Sequence, residues 1–558
     1  MIGVIFKPGQ REVVEEFFEL FKTAWEPYAP GRTYDVIVST GDVPPHVDTN
    51  LVVVYGPEAN GIDARLSIGA GVRRRGGVVC QGDMRIPIYG EMLTFAGEGN
   101  EVCCVTDRSE PAGVRAGTPG WAIIRLGYDL FEEVRFLLST GQPIEQAQTP
   151  TLDIHIQMLR EWILAAGVPL IEVLPVPAGH SCAVCLTHDI DFVGIRRHLF
   201  DHTMWGFLYR ATVGAFRNFA KGRLSGRHLL KSWRAAASLP FVYAGWAEDF
   251  WEPFEWYLTV EKGLPATYFL IPFKDRAGQK VPGRHPQRRA TAYDVGDLDE
   301  ACRILKAHGC EIGVHGIDSW HSAEQGREEL ARGAAAAESA SIGVRMHWLL
   351  RDASTPSMLE QAGYAYDSTT GYNETIGYRA GTGQVFRPCG VRRLLELPMH
   401  IQDGALFYPQ RLNLSAAEAE RRCGTLLDHA RKSGGVLTLL WHDRSHAPER
   451  FWGDFYIRLI GKVRSMRAWF GTAGQVVSWF RQRRGVQFVR AQGSPNEHDI
   501  RLCYEGGEIS PPLTVRVYSP ESRSHADITW NGRPSQELQT AIASQHSNLN
   551  SSVPFSRL

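Results

Sequence analysis

The chain has 558 residues, so at about 150 residues per domain it is long enough for three or four domains, and a single small module is excluded. Apolar residues make up 44% and charged residues 22% of the sequence, which excludes wholesale disorder. Lys and Arg number 60 against 61 Asp and Glu, and the net charge of −1 excludes the strongly basic footprint of a dedicated nucleic-acid-binding protein.

Residues 1–150 predict a small N-terminal α/β domain. A helical pattern at 12–25 is followed by apolar, strand-like runs at 34–40 and 50–56, and a second helical pattern lies near 127–143. The first apolar run has no basic leader before it, and ten cysteines are too sparse for a disulfide scaffold. We therefore expect a cytoplasmic protein with reduced cysteines.

Residues 151–485 alternate between strand-like and helix-like segments, which is the pattern of a (β/α) barrel or a doubly wound parallel sheet. Several of the strand candidates end in His or Asp. Such folds place their reactive groups at the carboxyl ends of the strands, so these ends are the candidate site. The strand candidates are residues 181–189, 266–273, 310–316, 394–400 and 436–443.

A long insertion at about 193–260 is rich in Arg, Lys, Trp and Phe. It could form a lid or touch a membrane surface, but helices with inward-packed aromatic residues and a solvated basic face are the favoured interpretation. Short strand patterns predict a small β module over 486–535, and the polar composition of 536–558 predicts a disordered tail.

Two carboxylates follow the first strand of this region. Asp189 and Asp191 are two residues apart, so both side chains can point to one side of an extended chain. Like charges at this separation are costly unless a cation or a proton lies between them. The pair therefore predicts either a metal site or a solvent-exposed turn.

Two histidines lie at the carboxyl end of the third strand candidate and in the loop after it. His315 ends the apolar run, and His321 precedes Ser322, which with Gln325 forms a capping-box pattern for the next helix. A separation of six residues cannot place both rings on one helical face. A strand end and a helix start joined by a short loop can chelate a metal, with Asp318 as a competing ligand.

Two further segments carry candidate residues. Arg345, His347 and Trp348 follow a short apolar start, and His442 lies at the end of a strongly apolar run. Exposure at a strand end makes an acid or base role plausible for His442.

Taken in this order, the segments resemble the motifs of the polysaccharide deacetylase family, metal-dependent carbohydrate esterases that remove N-acetyl groups. The resemblance covers about residues 180–480 and implies a distorted (β/α) barrel. The matching segments are THDID at 187–191 for the aspartate motif, His315 and His321 for the histidine motif, VRMHW at 344–348 for the arginine motif and LLWHD ending at Asp443 for the leucine-histidine motif.

The resemblance implies a mononuclear site in which Asp191, His315 and His321 hold a divalent metal, and Zn²⁺ is the expected ion. The family's aspartates are usually adjacent, whereas Ile190 separates them here, so Asp189 and Asp191 remain interchangeable. The family's histidines are usually four residues apart, so Asp318 remains an alternative to His321.

For catalysis the resemblance implies that Asp189 is the general base, that Arg345 orients it and that His442 is the general acid. Bound zinc polarises a carbonyl and lowers the pKa of its water to about 7, which is what attack on an amide requires. The implied substrate is an N-acetylated amino sugar, glycolipid or polysaccharide intermediate. A catalytically silent carbohydrate-binding or scaffold protein and another hydrolase of non-peptide C–N bonds remain alternatives, and the sequence leaves the oligomeric state open.

Overall fold

The computed structural model describes residues 1–44, 47–96, 100–118, 121–222, 224–280, 289–490, 500–519, 524–536 and 538–540. The chain divides into two compact units, of which the first comprises Met1–His180, Ala380–Cys389 and Ser478–Leu558, and the second comprises Ser181–Arg379 and Gly390–Val477. Most of the tail predicted to be disordered, residues 541–558, lies outside the described residues. None of the described helices has the length and apolar character needed to cross a membrane.

The strands are numbered in chain order over the described residues. They are β1 (Ile2–Ile5), β2 (Trp25–Pro27), β3 (Val36–Ser39), β4 (Leu51–Tyr55), β5 (Gly69–Gln81), β6 (Met84–Ala96), β7 (Glu101–Thr106), β8 (Pro111–Thr118), β9 (Trp121–Leu126), β10 (Leu170–Pro177), β11 (Ala183–Ile190), β12 (Ala266–Leu270), β13 (Glu311–Gly316), β14 (Gly343–Met346), β15 (Tyr366–Asp367), β16 (Leu395–Glu396), β17 (Ile401–Gln402), β18 (Val436–Leu440), β19 (Trp469–Phe470), β20 (Gln487–Arg490), β21 (Ile500–Cys503), β22 (Leu513–Ser519) and β23 (Ser524–Trp530).

The α-helices are numbered in the same way. They are α1 (Arg11–Phe21), α2 (Gly61–Arg65), α3 (Leu130–Ser139), α4 (Thr151–Ala165), α5 (His202–Tyr209), α6 (Ala215–Ala220), α7 (Gly226–Tyr243), α8 (Phe254–Val260), α9 (Asp299–Ala307), α10 (Ala323–Ala337), α11 (Thr355–Ala362), α12 (Asp403–Phe407), α13 (Ala416–Ser433), α14 (Gly453–Arg464) and α15 (Ala473–Arg484).

The first unit contains the predicted N-terminal α/β fold. Its main sheet has the order β2-β1-β3-β4-β9-β8-β7-β5-β6, in which the first five strands are parallel and the remaining pairs are antiparallel. Strands β3 and β4 are buried along their whole length, as expected for parallel strands covered on both faces. Helix α1 buries its apolar face in the same core, with Phe17 fully buried.

The strands predicted after residue 486 are present, and they belong to the first unit. Strands β22 and β23 form an antiparallel sheet with β10, while β20 and β21 pair with each other. An isolated two-stranded hairpin is only marginally stable in water. Strand β10 supplies a third strand, in which Leu170 and Val173 are buried.

The second unit is built on a parallel sheet of nine strands. Its order is β16-β15-β14-β13-β12-β11-β18-β17, and β19 adds a further parallel pairing to β11. Helices connect most of the successive strands, with the exception of β15, β16 and β17, and the predicted α/β class with a deacetylase-type (β/α) barrel is confirmed. In the described part of the chain the sheet stays open between β16 and β17, which makes it an incomplete barrel.

The sheet of the second unit sets the position of the candidate site. Strand β11 is buried along its full length, and it pairs in parallel register with β12 on one side and β18 on the other. His315 lies opposite Arg345 in the register of β13 and β14. Because all these strands run in one direction, the residues that follow them are brought to a single edge of the sheet.

The predicted insertion forms helices α5 to α8 of the second unit. Helices α5 and α6 are joined through a π-helical turn at Arg210–Gly214, and α7 follows after a short loop. The inner faces of α5 and α7 share an apolar core that includes Phe207, Leu239 and Trp251.

Candidate metal centre and active site

Three of the strand-end side chains converge on one point. Asp191 directly follows β11, His315 lies on β13 and His347 directly follows β14. One ligand atom from each residue lies within 4.8 Å of the other two. Within the described part of the chain this is the group of His, Cys, Asp and Glu side chains whose spacing suits a metal ion.

The distances in this cluster fit a tetrahedral divalent ion. Asp191 Oδ1 lies 3.4 Å from His315 Nε2 and 3.3 Å from His347 Nε2. Two ligands that are each about 2.0–2.1 Å from a tetrahedral zinc ion are about 3.3–3.4 Å apart. One carboxylate and two imidazoles also leave a fourth position open, as catalytic zinc sites require.

Hydrogen bonding leaves the ligand atoms available. His315 Nδ1 lies 3.0 Å from the carbonyl oxygen of Arg345, which fixes the ring and leaves Nε2 facing the cluster. Within the described residues, the buried Oδ1 of Asp191 has no hydrogen-bond partner. A buried acceptor without a partner is costly, and a bound cation removes this cost.

The ionisation of the cluster also suits a cation. Burial alone would raise the pKa of Asp191, but the neighbouring His347 and His315 hold the pKa of this carboxyl well below its usual range. Burial lowers the pKa of His347 to about 3, so its imidazole is neutral. An ionised carboxylate and a neutral imidazole are the forms that bind a metal.

His321, the expected third ligand, is not a member of this cluster. The chain turns back after β13, and the backbone N–H of His321 donates to the carbonyl oxygen of Asp318. Its ring Nε2 lies 3.2 Å from Asp318 Oδ1, which also accepts the backbone N–H of Gln279. Asp318 is therefore engaged in a loop contact with His321 and is not in the cluster either.

His347 takes the place that the sequence analysis gave to His321. Arg345 and His347 are two residues apart, as are Asp189 and Asp191, and the same alternation argument applies to both pairs. That signal could have identified His347, but the short run Gly343–Met346 is a weak strand pattern.

Asp189 lies beside the metal cluster and is held by Arg345. Arg345 Nη1 donates to Asp189 Oδ1 at 2.9 Å and to Thr187 Oγ1 at 2.8 Å, while Nε donates to the carbonyl oxygen of Ser368. The guanidinium also lies over the ring of Phe269, 4.5 Å from its centroid. The other carboxylate oxygen, Oδ2, is 3.9 Å from His315 Nε2 and faces the cluster.

His442, which follows β18, is paired with a buried carboxylate that the sequence analysis did not identify. Its Nδ1 lies 2.6 Å from Asp403 Oδ1, and its backbone N–H donates to Asp403 Oδ2. Asp403 also accepts the hydroxyl of Ser445 and is fully buried. Burial alone would lower the pKa of His442, but the Asp403 carboxylate outweighs burial and raises it to about 10.

Asp443 connects the two halves of the site. Its Oδ1 accepts the backbone N–H of Asp191 at 3.3 Å, which ties the end of β11 to the end of β18. Burial raises the pKa of Asp443 to about 7, although the nearby Arg444 opposes this shift. Arg444 in turn lies over the ring of Phe192, 3.6 Å from its centroid.

Comparisons with known proteins give similarity in structure only. No family model and no curated protein matches the sequence. A chain assigned as a polysaccharide deacetylase from Mycobacterium smegmatis is 20% identical with a TM-score of 0.34, and the alignment covers 58% of this chain and 100% of that one. An allantoinase is 13% identical with a TM-score of 0.33, covering 54% of this chain and 91% of that one.

A third similar structure comes from Bordetella bronchiseptica and is assigned as a polysaccharide deacetylase involved in O-antigen biosynthesis. It is 14% identical with a TM-score of 0.22, and the alignment covers 54% of this chain and 90% of that one. The polysaccharide deacetylase family, which the four sequence motifs resemble, is thus represented among the solved structures that are similar to this chain.

Proposed function

We propose that this protein is a metal-dependent hydrolase that removes the acetyl group from an N-acetylated amino sugar, glycolipid or polysaccharide. The observation that supports it is the convergence of Asp191, His315 and His347 beside two further charged pairs. These pairs are Asp189 with Arg345 and His442 with Asp403. Together they supply a metal site, a general base and a general acid, which are the parts that amide hydrolysis needs.

Asp191, His315 and His347 are the residues that would hold the ion, and a divalent metal bound there would polarise the scissile carbonyl and lower the pKa of water. Asp189 is placed to take the proton from the attacking water, because its Oδ2 faces the cluster. Arg345 is a positioning residue that holds the other carboxylate oxygen through a hydrogen bond from Nη1.

His442 is placed to protonate the leaving nitrogen. The Asp403 carboxylate accepts from Nδ1, so the protonated Nε2 is the donor that remains for the substrate. With a pKa raised to about 10, the imidazolium is the dominant form at neutral pH. Without that proton the amine is a poor leaving group, so loss of His442 is expected to block the reaction at the collapse of the tetrahedral intermediate.

The substrate class comes from the motif resemblance, and the fully assembled set of residues favours an enzyme over a catalytically silent scaffold. The decisive experiment measures bound metal and acetate release together. The purified protein is stripped with a chelator and reloaded with zinc, cobalt or manganese; metal content is read by mass spectrometry and acetate is measured after incubation with N-acetylglucosamine oligomers.

Two histidine variants give the matched comparison. His347→Ala is expected to lose both stoichiometric metal and acetate release, while His321→Ala is expected to keep both, because its ring contacts only the loop carboxylate of Asp318. Metal loss in His321→Ala with retention in His347→Ala would reject the proposed ligand set. A wild-type protein that binds metal but releases no acetate from any N-acetylated carbohydrate would reject the substrate class.

A further inference from the structure

The exposed apolar side chains of this protein are concentrated in the insertion. Of the 17 large apolar residues that are exposed in the described part of the chain, 11 lie between Leu199 and Trp246. Trp246 is 81% exposed and Phe200 is 73% exposed. The 11 residues are Leu199, Phe200, Trp205, Tyr209, Val213, Phe216, Phe219, Leu230, Trp233, Phe241 and Trp246.

The first helical segment has two apolar faces. Trp205, Tyr209, Val213 and Phe216 recur at spacings of four, four and three residues, so they share one side of the segment, and all four are exposed. The residues on the other side are buried in the apolar core of the insertion. These are Met204, Phe207 and Ala211.

Helix α7 repeats this arrangement. Leu230, Trp233 and Phe241 lie on one side and are exposed, whereas Leu239 and the other inner residues are buried. Exposed cations lie next to the apolar side. They are Arg227, Lys231 and Arg234.

The charge of this segment differs from that of the whole chain. Residues 202–247 contain seven Lys and Arg and no Asp or Glu, although the full sequence has a net charge of −1. The basic residues are therefore not neutralised by acidic neighbours within the segment. The favoured interpretation of the sequence, in which the aromatic residues pack inward, applies to only part of them, since Trp205, Trp233 and Trp246 are exposed.

The exposed surface rests on a well-packed base. The inner faces of α5 and α7 pack around Trp251, and Ser232 donates its hydroxyl to the carbonyl oxygen of Pro448 at 2.8 Å. Trp251 Nε1 also donates to Glu449, 3.3 Å away. The insertion is thus fixed to the loop that follows His442, and its outer aromatic residues are not needed for that contact.

We propose that the outer surface of α5, α6 and α7 binds an anionic lipid bilayer. Exposed Trp, Phe and Leu on one side of a helix, with Lys and Arg beside them, are the composition of interfacial helices, in which the apolar side enters the headgroup region and the cations meet anionic lipids. A second copy of this chain is a poorer occupant, because two such surfaces would oppose like charges without acidic partners. This proposal does not depend on the proposed function.

The test uses the full-length protein and vesicles of defined composition. Co-sedimentation is expected with vesicles of equal parts phosphatidylcholine and phosphatidylglycerol, and much less with phosphatidylcholine alone. Salt is expected to weaken the binding, because the Debye length falls from about 10 Å at 0.1 M to about 3 Å at 1 M. No co-sedimentation with the anionic vesicles at low salt would overturn the proposal.

Two variants assign the binding to this surface. Arg227→Gln/Lys231→Gln/Arg234→Gln is expected to weaken partitioning about a hundredfold, at about fivefold for each cation. The matched control removes the same charge from exposed positions elsewhere, as Arg303→Gln/Arg431→Gln/Arg533→Gln, and is expected to bind like the wild type. Equal weakening by the control would show an effect of net charge alone and would overturn the assignment.

The aromatic contribution is tested by Trp205→Ser/Trp233→Ser/Trp246→Ser, which is expected to lose most vesicle binding while its circular dichroism and thermal midpoint stay unchanged. Light scattering and an oligonucleotide binding assay test two alternative partners of this surface, a second copy of the chain and a nucleic acid. If the wild type is a dimer that the tryptophan variant disrupts, or if it binds the oligonucleotide but not the vesicles, the proposal is wrong.

Discussion

Replacing Asp403 by Asn tests whether the Asp403 carboxylate keeps His442, the proposed general acid, protonated. Asp403 accepts from Nδ1 of His442 at 2.6 Å, from the backbone N–H of His442 at 2.9 Å and from the hydroxyl of Ser445. An amide offers one carbonyl oxygen and one NH₂ group in place of two acceptor oxygens, so either the backbone N–H of His442 loses its acceptor or Nδ1 faces the NH₂ group and must lose its proton to accept from it. The side chain keeps its size, which separates the loss of charge from the loss of packing.

The expected effect has two parts. Hydrogen bonds to charged groups contribute about 1.5–3 kcal/mol each, so unfolding free energy is expected to fall by at least that amount. The pKa of His442, which Asp403 raises to about 10, is expected to fall towards its ordinary value. Because the general acid must be protonated, the alkaline limb of the kcat/KM profile is expected to move to lower pH. At the ordinary pKa of about 6.5, about a quarter of the imidazole is protonated at pH 7, so kcat at neutral pH is expected to fall by about fourfold and to fall further as pH rises.

The assay is acetate release as a function of pH with the metal-loaded protein. Asp318→Asn is the matched control, since Asp318 is also a buried carboxylate 3.2 Å from a histidine nitrogen, in the pair with His321 outside the cluster. This control is expected to leave the alkaline limb in place. An unchanged limb in Asp403→Asn, or an equal shift in both variants, would refute the assignment of His442 as the acid controlled by Asp403.

Three more predictions follow from the buried charges. Asp189→Asn is expected to bind metal as the wild type does but to lose acetate release by about 10²–10⁴-fold, and normal turnover would remove its role as base. Arg345→Met is expected to destabilise the protein by about 3–5 kcal/mol in denaturant unfolding, because it leaves the buried carboxyl group of Asp189 without its partner. In metal-free protein, the stabilisation linked to the raised pKa of His442 is present in full below about pH 6.5 and is lost as pH rises towards about 10. The resulting decrease of unfolding free energy with pH is expected to disappear in His442→Gln. If the decrease persists in that variant, the raised pKa of His442 is contradicted.

The long strands of the barrel could be predicted because their apolar composition is typical of buried parallel strands. The segments Ala183–Ile190 and Val436–Leu440 begin with apolar residues and have titratable residues at or just after their carboxyl ends, and the structure buries both segments along their whole length. The strands that pair over only two residues are β15, β16, β17 and β19, and of these only β16 lies within a predicted strand, at 394–400; the others have no run long enough to show a period. These short strands form because adjacent strands of the sheet offer backbone hydrogen-bond partners, which the local sequence does not show.

The same limit explains which site residues the sequence identified. Asp191 directly follows the long strand β11 and His315 lies near the end of β13, so their place at the sheet edge was predictable. His347 follows a four-residue strand, and the chain then takes a left-handed turn at Trp348, with φ of 66°, which sequence periodicity does not show. Asp403 follows the two-residue strand β17. His321 was predicted because His315 and His321 resemble the histidine motif of the family, although their spacing departs from it.

The charged pairs that support the chemistry also tie the strands together. Arg345 on β14 donates to Thr187 and Asp189 of β11, and Asp443 after β18 accepts the backbone N–H of Asp191. The ends of three strands are therefore fixed by the side chains that position the base and the ligand. Since a small displacement of a reacting group can cost about 10²-fold in rate, variants that break these ties are expected to lower activity even where the altered side chain never touches the substrate.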